Sequence, residues 1–174
     1  MLEFLSDLVL RIRIKKKLKT LSNNSKSKIT HFQSMLVLVP IEYQINEGLF
    51  LDLAKVFKIP TKNIKVVVIS IKQLTAIKSF KGQLFNCSKE FIGFWGKLPK
   101  KLDSFLDQEF DLLVNYFEND SLLASWLSTN CKAKLRVGFY KTDKELNDLI
   151  LNIKPTETEL FISQSTIYLK ALLK

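Results

Sequence analysis

Between Phe110 and Ile153, apolar residues recur with the spacing of strands in some segments and with the spacing of a helix in another. The predicted fold is organised around this part of the chain. Phe110 to Phe117 is almost continuously apolar and is bounded by charged residues, which is typical of a strand buried on both faces. Positions 122–127 carry apolar side chains at helical spacing, and Asn119 or Asp120 can cap this helix. Alternation over positions 135–139 predicts the next strand. Strand, helix and strand within about thirty residues form a βαβ unit, whose two strands run parallel.

The polar link after the second of these strands, residues 141–146, is short. A parallel connection needs a crossover of about a dozen residues or more, whereas antiparallel neighbours need only a turn. The apolar run from Asn147 to Ile153 is therefore predicted to be an edge strand that pairs antiparallel with residues 135–139.

The same strand–helix–strand pattern occurs earlier in the chain. Met35 to Val39 is a short apolar run ended by Pro40, and Ile64 to Ile69 is β-branched and apolar. Between these runs, Asn46 can cap a helix whose apolar positions extend to Phe57. A second βαβ unit is therefore predicted.

The pattern is less regular between and after these units. Pro99 begins a short predicted helix and Pro155 begins the last one, because proline is favoured in the first turn. The aromatic, glycine-punctuated turn at Gly93–Lys97 is predicted to tuck two rings into the core; the alternative is a stacking surface for a base or a peptide. Carboxylates between Asp103 and Asp120 mostly flank the elements and are interpreted as solvated caps.

Together these elements predict an α/β, Rossmann-like three-layer sandwich: a mostly parallel sheet with an antiparallel C-terminal edge strand, and helices on both faces. Ligands of such sheets bind beyond the carboxyl ends of the strands. The candidate ligand-face residues at those ends are Glu42, Tyr43, Ser70, Asn115 and Asn119. The sequence has no G-x-G-x-x-G and no P-loop, and its one histidine, His31, precedes the first strand. No cofactor and no metal site are therefore predicted, and no catalytic residue is assigned.

The first 28 residues differ in composition from the rest of the chain. They are predicted to form a basic amphipathic N-terminal segment and linker, followed by a single α/β domain over residues 29–174. The segment holds eight basic and two acidic residues in a protein of net charge +10. A helix is predicted to extend to about Leu21. Its apolar face is predicted to consist of Leu2, Leu5, Val9 and Ile12.

Three interpretations of this basic segment are open. It can be a helix packed on the domain with solvated lysines, a peripheral anchor on an anionic membrane surface, or an arm that contacts the phosphates of RNA or DNA. A protein partner is also compatible with it. The candidate anionic-surface contacts are Arg11, Arg13, Lys15, Lys16, Lys17 and Lys19.

Lysine accounts for most of the positive charge, with 24 Lys and 3 Arg. Because proteins that recognise phosphates and bases usually rely on arginine, this ratio favours compositional drift over a nucleic-acid partner. In the N-terminal segment the positive charge follows the apolar positions, which is the reverse of a secretory signal. No apolar run has the length of a membrane span, so a cytoplasmic location is expected.

Two resemblances add to this prediction. The segments FDLLVNYF, KAKLRVGFY and NDLILNI, with the turn FIGFWGKLP before them, resemble a family of small bacterial proteins of unknown function. That resemblance implies a Rossmann-like fold and no known activity. A weaker likeness is to the amino-terminal domain of heptosyltransferase-type glycosyltransferases, carried by Asp111, Leu112, Ala133, Lys134, Arg136, Gly138 and Phe139. The second, nucleotide-sugar-binding domain and the glycine-rich acceptor loop are missing, so this likeness implies kinship of fold and not activity.

The function expected from the sequence is that of a binding or interaction module with a basic N-terminal arm rather than that of an enzyme. The alternative is a small enzyme, or a degenerate glycosyltransferase-like domain, that binds a nucleotide or sugar phosphate at the strand ends.

Overall fold

The structure is a computed structural model that describes residues 2–21, 29–44, 46, 48–70, 81–93, 95–118 and 121–173. Three sequence predictions lie outside these residues in whole or in part: the candidate ligand residue Asn119, the possible helix cap at Asn119 or Asp120, and the linker that ends at residue 28.

A six-stranded sheet forms the centre of the molecule, and all five strand pairs are parallel. The spatial order is the third, second, first, fourth, fifth and sixth strand, as in doubly wound dinucleotide-binding domains. Because the central strands are covered on both faces, they are continuously apolar, which made them predictable. The strands are β1 (Met35–Pro40), β2 (Ile64–Ser70), β3 (Gln83–Ser88), β4 (Glu109–Asn115), β5 (Lys132–Phe139) and β6 (Leu149–Leu151).

Helices cover both faces of the sheet. The helices are α1 (Leu2–Leu21), α2 (Gly48–Val56), α3 (Lys100–Leu106), α4 (Leu122–Asn130) and α5 (Thr158–Leu172). The helices α2 and α5 pack on one face, and α1, α3 and α4 pack on the other. The prediction of an α/β fold with helices around a parallel sheet is therefore confirmed.

The predicted antiparallel edge is wrong, because β6 runs parallel to β5. The register explains how a short link suffices. Val137 pairs with Leu149 and Phe139 pairs with Leu151, so β6 runs beside only the end of β5. The link has to return by about two residues of strand, roughly 7 Å, rather than by the length of the sheet. Within this link, the Thr142 hydroxyl donates to the carbonyl of Phe117 at 2.6 Å.

The observed helix starts differ in part from the predicted ones. The cap predicted at Asn46 is confirmed, since its Oδ1 accepts from the backbone N–H of Gly48 at 2.9 Å. The helix α4 is capped by Ser121, whose Oγ accepts from Ala124, and not by Asn119 or Asp120 as predicted. A serine one residue before the helix satisfies the same free N–H groups.

The predicted start of the last helix at Pro155 is also wrong. The helix α5 begins at Thr158, three residues later. The carbonyl of Pro155 instead accepts from the buried Tyr116 hydroxyl at 2.6 Å, which fixes the turn before the helix.

In the glycine-punctuated turn, Gly96 is buried and Trp95 is exposed. The ring of Trp95 is 61% exposed, so its predicted position in the core is wrong, and Phe94 lies outside the described residues. Gly96 has a φ of 74°, and a Cβ there would lie 2.7 Å from the side chain of Leu10. Its carbonyl accepts from Nε1 of the buried Trp126 at 2.9 Å. Glycine is thus required by both the backbone conformation and the close contact with α1.

The helix α1 buries a different stripe from the one predicted. Leu10, Ile14 and Leu18 are in the core, whereas Leu5 is 43% and Ile12 is 60% exposed. The helix has apolar residues on two sides, so periodicity alone did not identify the buried one.

Candidate functional site

The crevice between β1 and β4 is where a sheet of this strand order binds ligands, because the order of the strands reverses there. In this protein a side chain spans it. Tyr43 follows β1 in a short 3-10 helix, and its hydroxyl accepts from the backbone N–H of Glu118, which follows β4, at 3.1 Å. Its ring packs against the apolar residues of both sheet faces and meets the Tyr116 ring edge-on at 6.4 Å. Tyr43 therefore bridges the two strand ends between which a nucleotide would bind.

The other candidate ligand-face residues do not converge with Tyr43 on one open surface. Glu42 is exposed, while Ser70 and Asn115 are buried. The Ser70 hydroxyl donates to Oδ1 of Asn86 at 3.4 Å. Asn115 donates to Oδ1 of Asn147 at 2.8 Å. The side chains of Ser70 and Asn115 are therefore hydrogen-bonded within the protein.

Gly138, in β5, makes this arrangement of amides possible. It pairs with Asn115 in the sheet, and a Cβ at position 138 would lie 2.5 Å from Nδ2 of Asn147. The buried amide of Asn147 thus lies directly on the backbone of the strand, where only glycine leaves room. Sequence reasoning missed this role, although an isolated glycine inside a strand indicates a close approach.

A polar cleft of 560 Å³ opens at the opposite edge of the sheet, where the strands begin. Its main anion is Asp111, which was predicted to be a solvated cap and is instead buried. The carboxylate accepts from the N–H groups of Gln33 and Ser34 and from Nζ of Lys134 at 2.8 Å. Burial alone raises the pKa of Asp111, but these donors outweigh it and the pKa is lowered. The aspartate ties the start of β1 to β5.

Lys65 is the most buried cation of this cleft. Its Nζ donates to the carbonyl of Phe105 at 3.3 Å and lies 4.3 Å from the centre of that ring. Burial lowers the pKa of Lys65. Because its partners are a carbonyl group and aromatic rings, we interpret Lys65 as a residue that stabilises the packing of the protein.

The part of the chain that the structure describes offers little for nucleophilic or metal chemistry. Burial raises the pKa of both Cys87 and Cys131 to about 12, which keeps the two thiols protonated. No three His, Cys, Asp or Glu side chains are grouped among the described residues as a metal site requires. His31 is exposed and shares hydrogen bonds with its neighbours Thr30 and Gln33.

The outer face of α1 is the other candidate site. We define it by residues spaced three or four apart, which lie on one side of a helix. Its first half is apolar, with side-chain exposures of 43%, 45% and 60%, and its second half is basic. The outer face consists of Leu5, Leu8 and Ile12, followed by Lys15, Lys16 and Lys19.

Two of the predicted anionic-surface contacts also hydrogen-bond within the protein. Arg13 donates to the carbonyl of Trp95, and Lys17 donates to Oδ1 of Asn130. The Lys17 ammonium also lies 5.0 Å from the centre of the Trp126 ring. Burial, and next the charge of Arg13, lower the pKa of Lys17.

Arg11, Lys15, Lys16 and Lys19 are exposed. Leu8 is the residue of this face that the sequence prediction omitted. Its spacing from Leu5 and Ile12 was the available signal. None of the described helices is both long enough and apolar enough to cross a bilayer.

Comparison with known proteins gives a family and no activity. No curated protein and no solved structure matches the chain, so the likeness to heptosyltransferase-type domains gains no support. A family model matches residues 7–172, which include most of α1 and the whole of α5. The chain therefore belongs to the family of unknown function DUF6913.

Proposed function

We propose that the protein is a peripheral binding module that attaches to anionic lipid surfaces through the outer face of α1. The observation that carries this proposal is the order of residues on that face. Three exposed aliphatic side chains are followed, along the same line, by three lysines. Aliphatic side chains can insert shallowly among lipid headgroups while neighbouring lysines contact their phosphates.

The helix is held ready for this contact by its inner side. Leu10, Ile14 and Leu18 are buried against the sheet, and Asp7 forms a 2.9 Å ion pair with Lys89. A free peptide of this kind has to fold as it binds, at a cost in conformational entropy. A helix already fixed on a domain avoids that cost.

Lipid fits this face better than RNA. Single-stranded RNA is usually held by aromatic side chains that stack on bases, and the described outer face has none. Phosphates alone would leave Leu5, Leu8 and Ile12 in water. A bilayer surface accepts both halves of the face.

The second candidate, a nucleotide or sugar phosphate at the strand ends, has less support. Tyr43 bridges the ends of β1 and β4, and no glycine-rich loop follows β1. A thermal-shift screen against nucleotides separates the two functions, because a ligand at 100 times its Kd raises stability by about 2.7 kcal/mol.

Vesicle sedimentation with matched charge variants tests the proposal. One variant is Lys15→Gln/Lys16→Gln/Lys19→Gln. The control, Lys58→Gln/Lys62→Gln/Lys154→Gln, also removes three positive charges and lowers the net charge from +10 to +7. Near an anionic surface each lysine contributes about 1 kcal/mol, so the first variant should bind roughly 100-fold more weakly. The control should bind almost as well as the unmodified protein.

Three results would count against the proposal. Equal losses in both variants would mean that net charge alone drives binding. Equal binding to neutral and anionic vesicles would remove the role of the lysines. An unchanged affinity of Leu8→Ser/Ile12→Ser would show that the apolar half does not insert.

A further inference from the structure

The outward side of α5 is uncharged over its middle, in a protein with a net charge of +10. The helix packs on the sheet through Phe161, Ser165 and Leu169. On the opposite side, Leu160 is 46% and Ile167 is 62% exposed. Their neighbours on this side are small or neutral: Ser163, Gln164, Tyr168 and Ala171. An exposed, uncharged stretch of helix that carries two large aliphatic side chains marks a candidate contact surface.

The two charged residues of α5 lie at its two ends. Glu159 and Lys170 are both exposed and are eleven residues apart, which is close to three helical turns. They therefore lie on the same edge of the outward side, one near each end. Their midpoint falls at the middle of the helix.

We propose that α5 is the contact of a two-fold symmetric homodimer in which it packs antiparallel against α5 of a second copy. A two-fold axis that passes between the two helices, level with the middle of each, places the same edges of both helices together and makes them antiparallel. Glu159 of each copy then meets Lys170 of the other, twice by symmetry. Ile167 and Leu160 lie along the apolar centre of the contact, and Ser163 and Ala171 let the two backbones approach.

A second copy fits this surface better than other occupants do. A two-fold contact uses one patch twice, so the patch has to be complementary to itself in charge and shape. The outward side of α5 meets this requirement, since its one acid and one base are exchanged by the axis. The outer face of α1 does not, because the same antiparallel contact would place its lysines against the leucines of the other copy. An anionic membrane would find one lysine and one glutamate on α5 and little attraction.

Sedimentation velocity of the full chain over a range of concentrations tests the dimer. The unmodified protein should change from monomer to dimer as concentration rises. Ile167→Asp should weaken the dimer by roughly 100-fold or more, because it places a carboxylate in the apolar centre. The matched control is Ile12→Asp, an isoleucine with 60% instead of 62% exposure on the opposite layer, and it should dimerise normally. Circular dichroism checks that both variants are folded.

A charge exchange tests the antiparallel arrangement. Glu159→Lys alone should weaken the dimer by about tenfold, because two lysines then face each other at each end. Adding Lys170→Glu should restore it. A protein that is monomeric at every concentration overturns the proposal, and so does a dimer that Ile167→Asp leaves intact. Failure of the double exchange to restore the dimer overturns the antiparallel register. These sedimentation experiments contain no lipid, so a negative result would not contradict the proposed function of α1.

Discussion

Two isoleucines two positions apart on α1 should lose very different amounts of stability on the same substitution. Ile14 is 7% exposed and belongs to the core on the α1 side of the sheet, whereas Ile12 is 60% exposed. Substitution of Ile14 by alanine removes three buried carbon atoms, worth about 0.8 kcal/mol each, or roughly 2.4 kcal/mol together. The cavity left behind adds to this loss, so Ile14→Ala should cost about 3 kcal/mol.

Ile12→Ala is the matched control. It changes the same chemistry on the same helix, so the gain in helix propensity on going to alanine is common to both variants. Its effect should stay within about 0.5 kcal/mol.

Chemical denaturation followed by circular dichroism measures both changes, and thermal unfolding should show Ile14→Ala melting about 6–12 °C lower. Equal stabilities of the two variants would refute the assignment of the buried side of α1. A larger loss for Ile12→Ala would mean that the helix lies on the sheet with its other stripe.

Three further predictions concern the core and the combination of the two proposed surfaces. Gly138→Ala should destabilise the protein by about 1–3 kcal/mol, because its Cβ would lie 2.5 Å from Asn147; an unchanged denaturation midpoint would show that this amide moves aside freely. Burial raises the pKa of Cys87 and Cys131 from 9.0 to about 12, so a thiol reagent should label neither until the protein unfolds. The same pKa difference makes stability depend on pH. The free energy of unfolding should fall as pH rises above 9, because the thiols ionise there only in the unfolded protein, and a rising stability would contradict this. Because α1 and α5 lie on opposite faces of the sheet, the proposed dimer presents one α1 on each outer side, so it should cross-link anionic vesicles and make the suspension turbid. Ile167→Asp should abolish the turbidity but not the binding to vesicles. Turbidity that persists in this variant would show that the dimer does not cause the cross-linking.

The central strands could be predicted because burial on both faces leaves a mark in the sequence. The runs at Met35–Pro40 and Ile64–Ser70 are apolar almost throughout, as strands in the middle of a parallel sheet have to be. The edge strand β6 has only three residues, and its direction depends on where along β5 it pairs. The sequence contains no sign of that register.

The side of α1 that is buried could not be predicted for a different reason. Leu10, Ile14 and Leu18 have the same spacing as apolar residues on the outer side, so both stripes satisfy the helical period. The choice is made by distant contacts. Leu10 packs beside Trp126 and the backbone of Gly96, and both of these residues are far from it in the sequence.

The basic residues of α1 show that the sequence also could not predict long-range contacts at the candidate site. Composition identified the basic cluster, and the helix was correctly predicted to Leu21. The sequence could not predict that Arg13 and Lys17 hydrogen-bond to Trp95 and Asn130, because these partners are more than eighty positions away. The Tyr43 hydrogen bond that spans the crevice is likewise a long-range contact, and a tyrosine after the first strand does not by itself predict it.

The central claim is that α1 is a packed layer of the domain whose outer face enters an anionic lipid surface. A single environment-sensitive fluorophore tests it most directly, attached through Ile12→Cys on the outer face or through Val56→Cys on α2, which lies on the opposite face of the sheet. The native cysteines are both buried and should not react. With anionic vesicles, the label at position 12 should shift to the blue and brighten, the label at position 56 should not change, and neither should respond to neutral vesicles. An unchanged signal at position 12, or equal shifts at both positions, would contradict the claim.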